Sequence, residues 1–429
     1  MTIQRKWRRG WNMLLVGILL AGQTSLVQAA PTELTLEDSV RLALQNNPTV
    51  KIAVQDKASA QYGIKIAEGA LLPSVGYTHT AAHGNSLTTS GNVTNKFDNK
   101  LSLGWNVYTF GQKEGLVGAA RANYSSADFG VAKAMQQIKL DATNGYYGIL
   151  QARNLLQVAQ ESVDQLTAHL KNVQAQYGVG TVAKSDVLRS EVELANAQQS
   201  LIKAQNTYDL SISTLNNVIG LPLGTELSVK EELQYLPYEK TLDTCIDYSL
   251  KNRPEVIQAA FGVEAAKENK RAAEGGHLPT IAVFGTQDWN NKDFPGSGNS
   301  NWSVGATLNW NAFDSGVTNA NIGKAQQAFD KTLQLEQQTK DSVQLEVRQN
   351  FLGLREAEKR IDTSKVAVTK AEEDFKIAQV RYMAGVGTNI DVIDAQVALT
   401  QAKTNYYQAL YDYNTSRAKL EKAMGIAVN

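Results

Sequence analysis

The chain has 429 residues, 43% of them hydrophobic, and its 42 Lys and Arg balance 42 Asp and Glu. Four of the basic residues, Arg5, Lys6, Arg8 and Arg9, sit at the N-terminus, so the remainder carries a slight acidic excess that argues against nucleic acid as a partner. The single Cys245 excludes an internal disulfide, and sparse aromatics beside abundant Ala, Gln and Asn suit long packed helices better than a compact mixed core.

The first thirty residues read as a secretory signal. A basic start leads into an apolar run from Met13 to Ala21, and Val27-Gln28-Ala29 forms a small-residue cleavage pattern. That run is too short to span a bilayer as a helix, and it contains no cysteine for a lipid anchor. No later stretch approaches the length of a membrane helix, so an exported protein without an inner-membrane span is expected.

Beyond the signal the sequence is written twice. LEDSVRLALQNNPTV, from Leu36 to Val50, recurs as LDTCIDYSLKNRPEV from Leu242 to Val256. A shift of about 205 residues also aligns Pro73 with Pro279, Trp105 with Trp310, Gly111 with Gly316, Tyr177 with Tyr382, Asp186 with Asp391 and Gly220 with Gly425. The expected organisation is a signal at 1–30, a first repeat at 31–220, a linker at 221–241, a second repeat at 242–425 and a tail at 426–429.

In each repeat a short helix leads to a second, opened by Asn47-Pro48 or Arg253-Pro254, with proline at the first helical position. No proline lies between Pro73 and Pro222 or after Pro295, which leaves room for uninterrupted helices. An apolar heptad seam runs from Val131 through Ile138, Ala142, Ile149 and Val173 to Tyr177. A matching seam runs from Val343 through Leu354 and Phe375 to Tyr382, so both predict coiled-coil packing. Long helices are expected at about 112–176 and 317–381, each roughly 98 Å long. Glycine-containing turns then lead to shorter helices at about 184–219 and 389–424, making antiparallel helix hairpins.

Between the second short helix and the long helix, apolar and polar residues alternate. Leu101 to Val107 and Trp302 to Trp310 show it most clearly, and β-hairpins are expected at about 74–107 and 280–312, with polar links from His83 to Lys96 and from Asp288 to Asn301. Four strands cannot close a membrane barrel, whose smallest common form has about eight, so several chains must share one. Trp302 and Trp310 lie about 26 Å apart along a strand, matching an apolar band with aromatic edges. Trp105, Tyr108 and Phe313 fit the inner girdle of that band. A soluble sandwich would need a second covering sheet for which the sequence offers no strands.

This order of elements resembles the TolC family of outer-membrane efflux proteins. The resemblance covers nearly all of Leu34 to Gly425 and includes Leu72-Pro73, Leu278-Pro279 and Trp105-Asn-Val-Tyr-Thr-Phe-Gly111. Trp310-Asn-Ala-Phe-Asp-Ser-Gly316 and the tip from Arg381-Tyr382 to Asp391-Val-Ile-Asp394 complete it. It implies a homotrimer, mostly helical with membrane β structure, whose shared twelve-stranded barrel continues into a twelve-helix periplasmic α-barrel. The segment from Leu221 to Lys240 and the short helices at Leu36 and Leu242 would form an equatorial belt. The implied function is passive export of drugs, toxic compounds or secreted proteins, as the exit duct of a tripartite efflux or type I secretion system. Its partners would be outer-membrane lipid, a periplasmic adaptor (membrane fusion protein) and an inner-membrane pump, with no enzymatic step and no cofactor.

The resemblance assigns the periplasmic gate to Asp391 and Asp394, with Tyr382 and Arg381 beside them. Three copies would ring one axis with six carboxylates and draw in cations, although acids in a helix's first turn also stabilise its dipole without further role. The turn lacks the Arg by which some family members brace the closed entrance, so its bracing stays open. Asp186 is in register with Asp391, and Arg189 stands opposite Asp394. Adaptor docking is therefore assigned to the tips, at Gly180, Thr181, Lys184, Ser185 and Asp186 with Gly385 and Gly387. His79 and His83, four apart on a strand, are too distant to share a metal readily, and His169 and His277 have no ligand cluster nearby in sequence. The rival reading is a trimeric autotransporter-like adhesin with a coiled-coil stalk. Its strands would form one continuous C-terminal anchor, whereas here the hairpins are far apart and helix follows the second.

Overall fold

The computed structural model describes residues 32–85 and 93–428. The signal expected at 1–30, part of the first hairpin's outer link and Asn429 lie outside the described residues. In chain order the elements are β1 (Thr32–Leu34), α1 (Leu36–Asn46), α2 (Pro48–Gly69), β2 (Ser74–Asn85), β3 (Val93–Tyr108), α3 (Gln112–Gly178) and α4 (Lys184–Ile219). They are followed by β4 (Leu227–Val229), α5 (Leu242–Asn252), α6 (Pro254–Glu274), β5 (Thr280–Asn291), β6 (Asn299–Asn309), α7 (Val317–Met383) and α8 (Asn389–Ala423).

The two long helices, α3 and α7, have 67 residues each, about 100 Å at 1.5 Å per residue. Each starts at a sharp corner where two successive residues take positive φ: Phe110 and Gly111 before α3, Ser315 and Gly316 before α7. A carboxylate collects the N–H groups that the first turn leaves unpaired. Glu114 accepts from Gly111 N–H at 3.1 Å, and Asp314 accepts from Gly316 N–H at 3.1 Å and Thr318 N–H at 2.8 Å.

The heptad seams are the packed faces. Ile138, Ala142, Ile149, Ala152, Leu166 and Val173 of α3 are buried, as are Val343, Val347, Leu354, Ala357, Ile361 and Phe375 of α7. Near the middle of the molecule Ile138, Ala142 and Ile149, with Val343, Val347, Leu354, Ala357 and Ile361, meet Leu215 and Ile219 of α4 and Leu410, Tyr413 and Leu420 of α8 in the main core. Burial of each large apolar side chain there contributes about 1.5–3 kcal/mol against the ordering entropy.

The linker after α4 wraps this core. Its strand β4 pairs in parallel with β1, Leu34 opposite Val229. Farther along, Tyr413 donates its hydroxyl to Leu236 O at 2.6 Å, Asn414 donates to Gln234 O at 3.1 Å, and Arg153 donates to Glu231 O at 2.7 Å.

Strands β2, β3, β5 and β6 form one antiparallel sheet in the order β2-β3-β5-β6. The strands run farther than sequence alternation indicated. β2 and β3 extend into the link expected from His83 to Lys96, β5 and β6 into the link from Asp288 to Asn301, and β6 ends at Asn309. Polar residues sustain the ladder there, with the His83 ring bonded to Asn95 at 2.8 Å and Asn299 donating to Asn290 at 3.2 Å.

One device recurs at the equator. The residue joining the two short helices reaches the C-terminal carbonyls of the last helix: Asn47 donates to Val218 O at 2.9 Å, and Arg253 to Ala423 O at 3.0 Å. Arg253, with a side chain only 4% exposed, also pairs with Glu255 at 3.0 Å and with Glu346 of α7 at 2.5 Å. Burial alone would push the Glu255 carboxyl up, but the guanidinium's hydrogen bond and charge hold it below the usual carboxylate range.

Arg253→Ala leaves two carboxylates short of a partner. It is expected to cost about 3 kcal/mol in a denaturant titration, the low end for a buried pair because Glu346 is 37% exposed. Asn47→Ala, which removes only a cap and one hydrogen bond, should cost about 1 kcal/mol. Because Glu255's folded pKa is depressed, its contribution is complete above the ordinary carboxylate value and lost as the pH falls through the depressed one. The gap between wild type and Arg253→Ala should therefore narrow in acid.

Candidate functional site

The sheet at one end and the helix-hairpin tips at the other carry the chemistry. Register sorts the sheet into two unlike faces. Val75, Leu103, Gly285 and Val304 stand in one row across the four strands, and Tyr77, Leu101, Gln287 and Trp302 in the next. With Trp105, Val283, Ile281 and Leu308 they make an apolar face. The opposite face carries Lys96, Asp98, Lys100, Ser102, Thr286, Asp288, Asn301 and Ser303. There Lys96 pairs with Asp98 at 2.7 Å, and Thr286 and Ser303 share a hydrogen bond at 2.8 Å. Edge strands β2 and β6 each have one partner strand among the described residues.

The aromatic residues assigned to a girdle are all exposed, Trp302 at 76% and Phe313 at 85%. Trp105 and Trp310 use equivalent hydrogen bonds in the two repeats, their indole N–H groups donating to Leu71 O at 2.8 Å and His277 O at 3.1 Å. Tyr108 joins the apolar face because a bulge between Asn106 and Tyr108 shifts the register and places it opposite Ile281. Reading the sequence missed the opposite rim. Trp289 and Phe97 follow the apolar phase, and Phe294 folds back against Phe97 and His79 with ring centroids 5.7 and 6.0 Å away. Continuing the period-two phase past Thr286 would have found Trp289.

At the tips, Tyr177 to Ala183 turn α3 into α4, and Ala384 to Thr388 turn α7 into α8. Gly180 and Gly385 sit at equivalent places with φ of 79° and 73°, a left-handed conformation that other residues adopt only with strain. Thr181 donates to Gln176 O at 2.9 Å, closing the first turn, while Gly387 lies against Arg381 and Tyr382 in the second. Lys184 and Ser185 are exposed, and Asp186 is half-buried.

Asp391 and Asp394 are both exposed on the first turns of α8. Asp391 is engaged in a reciprocal cap: Thr388 N–H donates to its carboxylate at 2.9 Å, and Asp391 N–H donates to the Thr388 hydroxyl at 3.3 Å. The Thr388 backbone and hydroxyl bonds, with the nearby charge of Arg381, hold its carboxyl below the usual range. Arg381 is exposed and reaches Val386 O at 3.4 Å. Tyr382 lies apart from these, 5% exposed in a second apolar cluster with Val173, Phe375, Val392, Ala395 and Leu399.

The sequence reading also passed over a buried polar knot between the hairpins. His169 of α3, Ser190 of α4 and Asn389 of α8 meet there, and Tyr382 packs edge to face with His169, centroids 5.0 Å apart. No local pattern announces this contact, since His169 and Asn389 are 220 residues apart. Among the described residues no group of three His, Cys, Asp or Glu could hold a metal ion, and no helix is long and apolar enough to cross a membrane.

Comparisons with known proteins agree with this architecture. The family model described as "Outer membrane efflux protein" matches residues 40–221 and again residues 245–426, once in each half. The outer membrane protein TolC of Escherichia coli strain K12 is 24% identical over 96% of this chain and 85% of its own length. The alkaline protease secretion protein AprF of Pseudomonas aeruginosa is 23% identical over 92% of this chain and 85% of its own. The crystal structure of the Campylobacter jejuni CmeC outer membrane channel shares the fold, with a TM-score of 0.81 at 17% identity, covering 91% of this chain and 85% of that one. With most of both halves accounted for by the family model, the chain belongs to the outer membrane efflux protein family and is a protein of the outer membrane.

Proposed function

We propose that three copies of this chain assemble into one conduit, a shared twelve-stranded β-barrel in the outer membrane continuing into a twelve-helix periplasmic tunnel. It serves as the passive exit duct of a tripartite efflux or type I secretion system. The observation that carries the reading is an amphipathic four-stranded sheet with two unpaired edges, mounted on helix hairpins about 100 Å long.

Joining β6 of one copy to β2 of the next removes every edge, as a hydrocarbon environment demands. The apolar face then meets lipid, and the face with Lys96, Lys100 and Asp288 lines water. Exposed apolar residues outside the sheet support contacts between copies, among them Leu188, Ile202 and Leu210 on α4 and Leu345, Leu352 and Val366 on α7. Solutes cross such a duct without chemistry, so energy comes from an inner-membrane pump joined through a periplasmic adaptor at the tips. The family description as an outer membrane efflux protein supports an efflux role, and a relative named for alkaline protease secretion supports a secretion role. The autotransporter-like adhesin is not favoured, because the family model matches both halves and the strands come from two separated hairpins.

In this reading Asp391 and Asp394 ring the entrance while Asp391 also caps α8, so its two roles can be separated. Asp391→Asn with Asp394→Asn removes the carboxylate charges, while the amide introduced at the capping position still offers a carbonyl to Thr388. Single-channel recordings should then show weaker cation preference and weaker block by divalent cations, and unchanged selectivity and block would reject the acidic ring. The purified chain should form discrete ion-conducting pores in planar bilayers, and failure to do so would defeat the duct itself.

The two faces of the sheet give a further test. Val304→Lys, on the apolar face, should cost about 2–4 kcal/mol of folding stability in lipid vesicles if it lies near the bilayer midplane, whereas Ser303→Lys, on the polar face, should be tolerated. At the first tip, Ser185→Cys carrying a cross-linker should capture a co-expressed adaptor. A lack of adduct under assembly conditions would place docking elsewhere.

A further inference from the structure

The seam between α3 of the first hairpin and α8 of the second is stitched by polar pairs. Gln151 donates to Gln408 at 2.7 Å and Lys403 to Glu161 at 2.9 Å, and nearest the tip the His169 ring meets Asn389 Oδ1 at 2.6 Å. The last of these is buried, with His169 5% and Asn389 4% exposed. Its hydrogen-bond roles are fixed by logic. Asn389 Nδ2 faces the backbone carbonyl of Asp186 at 3.0 Å, and a carbonyl only accepts, so the amide oxygen faces His169 and Ser190. His169 must therefore donate from Nε2, and its neutral form carries its one proton there. A single amide thus ties the first turn of α8 to both helices of the other hairpin.

The charged and titratable neighbours come from every packed element. Tyr382 of α7 packs edge to face with the imidazole, its own hydroxyl buried without a hydrogen-bond partner among the described residues. The carboxylate of Asp186, on α4, acts on that hydroxyl. Asp391 of α8 is bound up in its cap with Thr388, and Arg381 of α7 turns to Val386 O. None of them hydrogen-bonds the ring.

We propose that His169 is a proton-sensing positioning residue of the tip: neutral, it holds Asn389 and the start of α8 against α3 and α4; protonated, it releases the second hairpin and widens the entrance. The proposal rests on the reading that the α7–α8 tips narrow a conduit. Burial disfavours the charged imidazole and holds its pKa below the ordinary value, the Asn389 bond offsetting this only in part. The closed tip is therefore fully favoured above the ordinary histidine pKa of about 6.5 and loses that advantage as the pH falls below it toward the buried value. Protonation at Nδ1 leaves the Nε2–H bond to Asn389 in place, so what drives the seam apart is the cost of a charge buried there with no carboxylate bonded to the ring.

The test compares wild type, His169→Gln and Asn389→Ala as full chains in their assembled form, between about pH 7.5 and about pH 5. Glutamine supplies an N–H without titrating. Amide hydrogen exchange from Gly385 to Asp391, corrected for the chemical pH dependence of exchange, should rise about fivefold or more in acid for wild type. It should stay low at both pH values in His169→Gln and be high at both in Asn389→Ala. Single-channel conductance should follow the same pattern.

An acid response in His169→Gln equal to that of wild type would overturn the proposal, as would a wild type without one. If His169→Gln fails to assemble, Asn389→Ala still decides, because acid should raise its exchange no further. Exchange is read without a pore, so a tip that responds in a protein that does not conduct would count against the duct reading alone. A conducting protein whose tip ignores His169 would count against the sensor alone.

Discussion

A four-stranded sheet with one apolar face and two open edges cannot be at rest by itself. Each edge of β2 and β6 presents N–H and C=O groups in one direction, and in hydrocarbon every such unpaired group costs several kcal/mol. The apolar face with Leu103, Val304 and Trp302 is equally costly in water. Closure among copies resolves both problems at once, and it dictates much of what the rest of the chain must do. In the proposed assembly, helices that leave the sheet at the left-handed corners of Phe110-Gly111 and Ser315-Gly316 would continue as a ring of the same symmetry.

Along those helices the cohesive forces are unevenly distributed. Around the equator the packing is apolar and backed by the wrapped linker and the Arg253 network, so this level resists rearrangement. Toward the tip the apolar cluster is smaller, and polar pairs such as Lys403–Glu161 and His169–Asn389 join the hairpins. A hydrogen bond exchanged for water contributes only about 0.5–1.5 kcal/mol net, so the join at the tip, where Val173 of α3 is the one fully buried α3 residue in the small cluster with Phe375, Tyr382 and Val392, is cheaper to open than the larger equatorial core. In the proposed duct that gradient would give a rigid wall and a movable mouth.

How much of this was legible beforehand depends on the range of the interaction. The heptad seams could be read because Ile138, Ala142, Ile149, Leu354 and Phe375 recur at a fixed local spacing, and these are buried. The twofold writing of the chain was plain because Asn47-Pro48 and Arg253-Pro254 head the same helix, with the same reach to a distant carbonyl. Strand ends were less legible, since Asn95, Asn290 and Asn299 extend the ladder by hydrogen bonds that composition renders as loop. The acidic first turn of α8 was visible, but Asp391's reciprocal bond with Thr388 and the burial of Tyr382 away from it were not. Least visible was the His169–Asn389 contact, which joins separate hairpins and obeys no periodicity.

Closure between copies is the condition on which the duct depends. The mass of the detergent-solubilised, folded protein, measured by native mass spectrometry with the detergent stripped away, tests it most directly. Three chains per particle is the expected result. A single folded chain that keeps its β structure with both sheet edges open would contradict it.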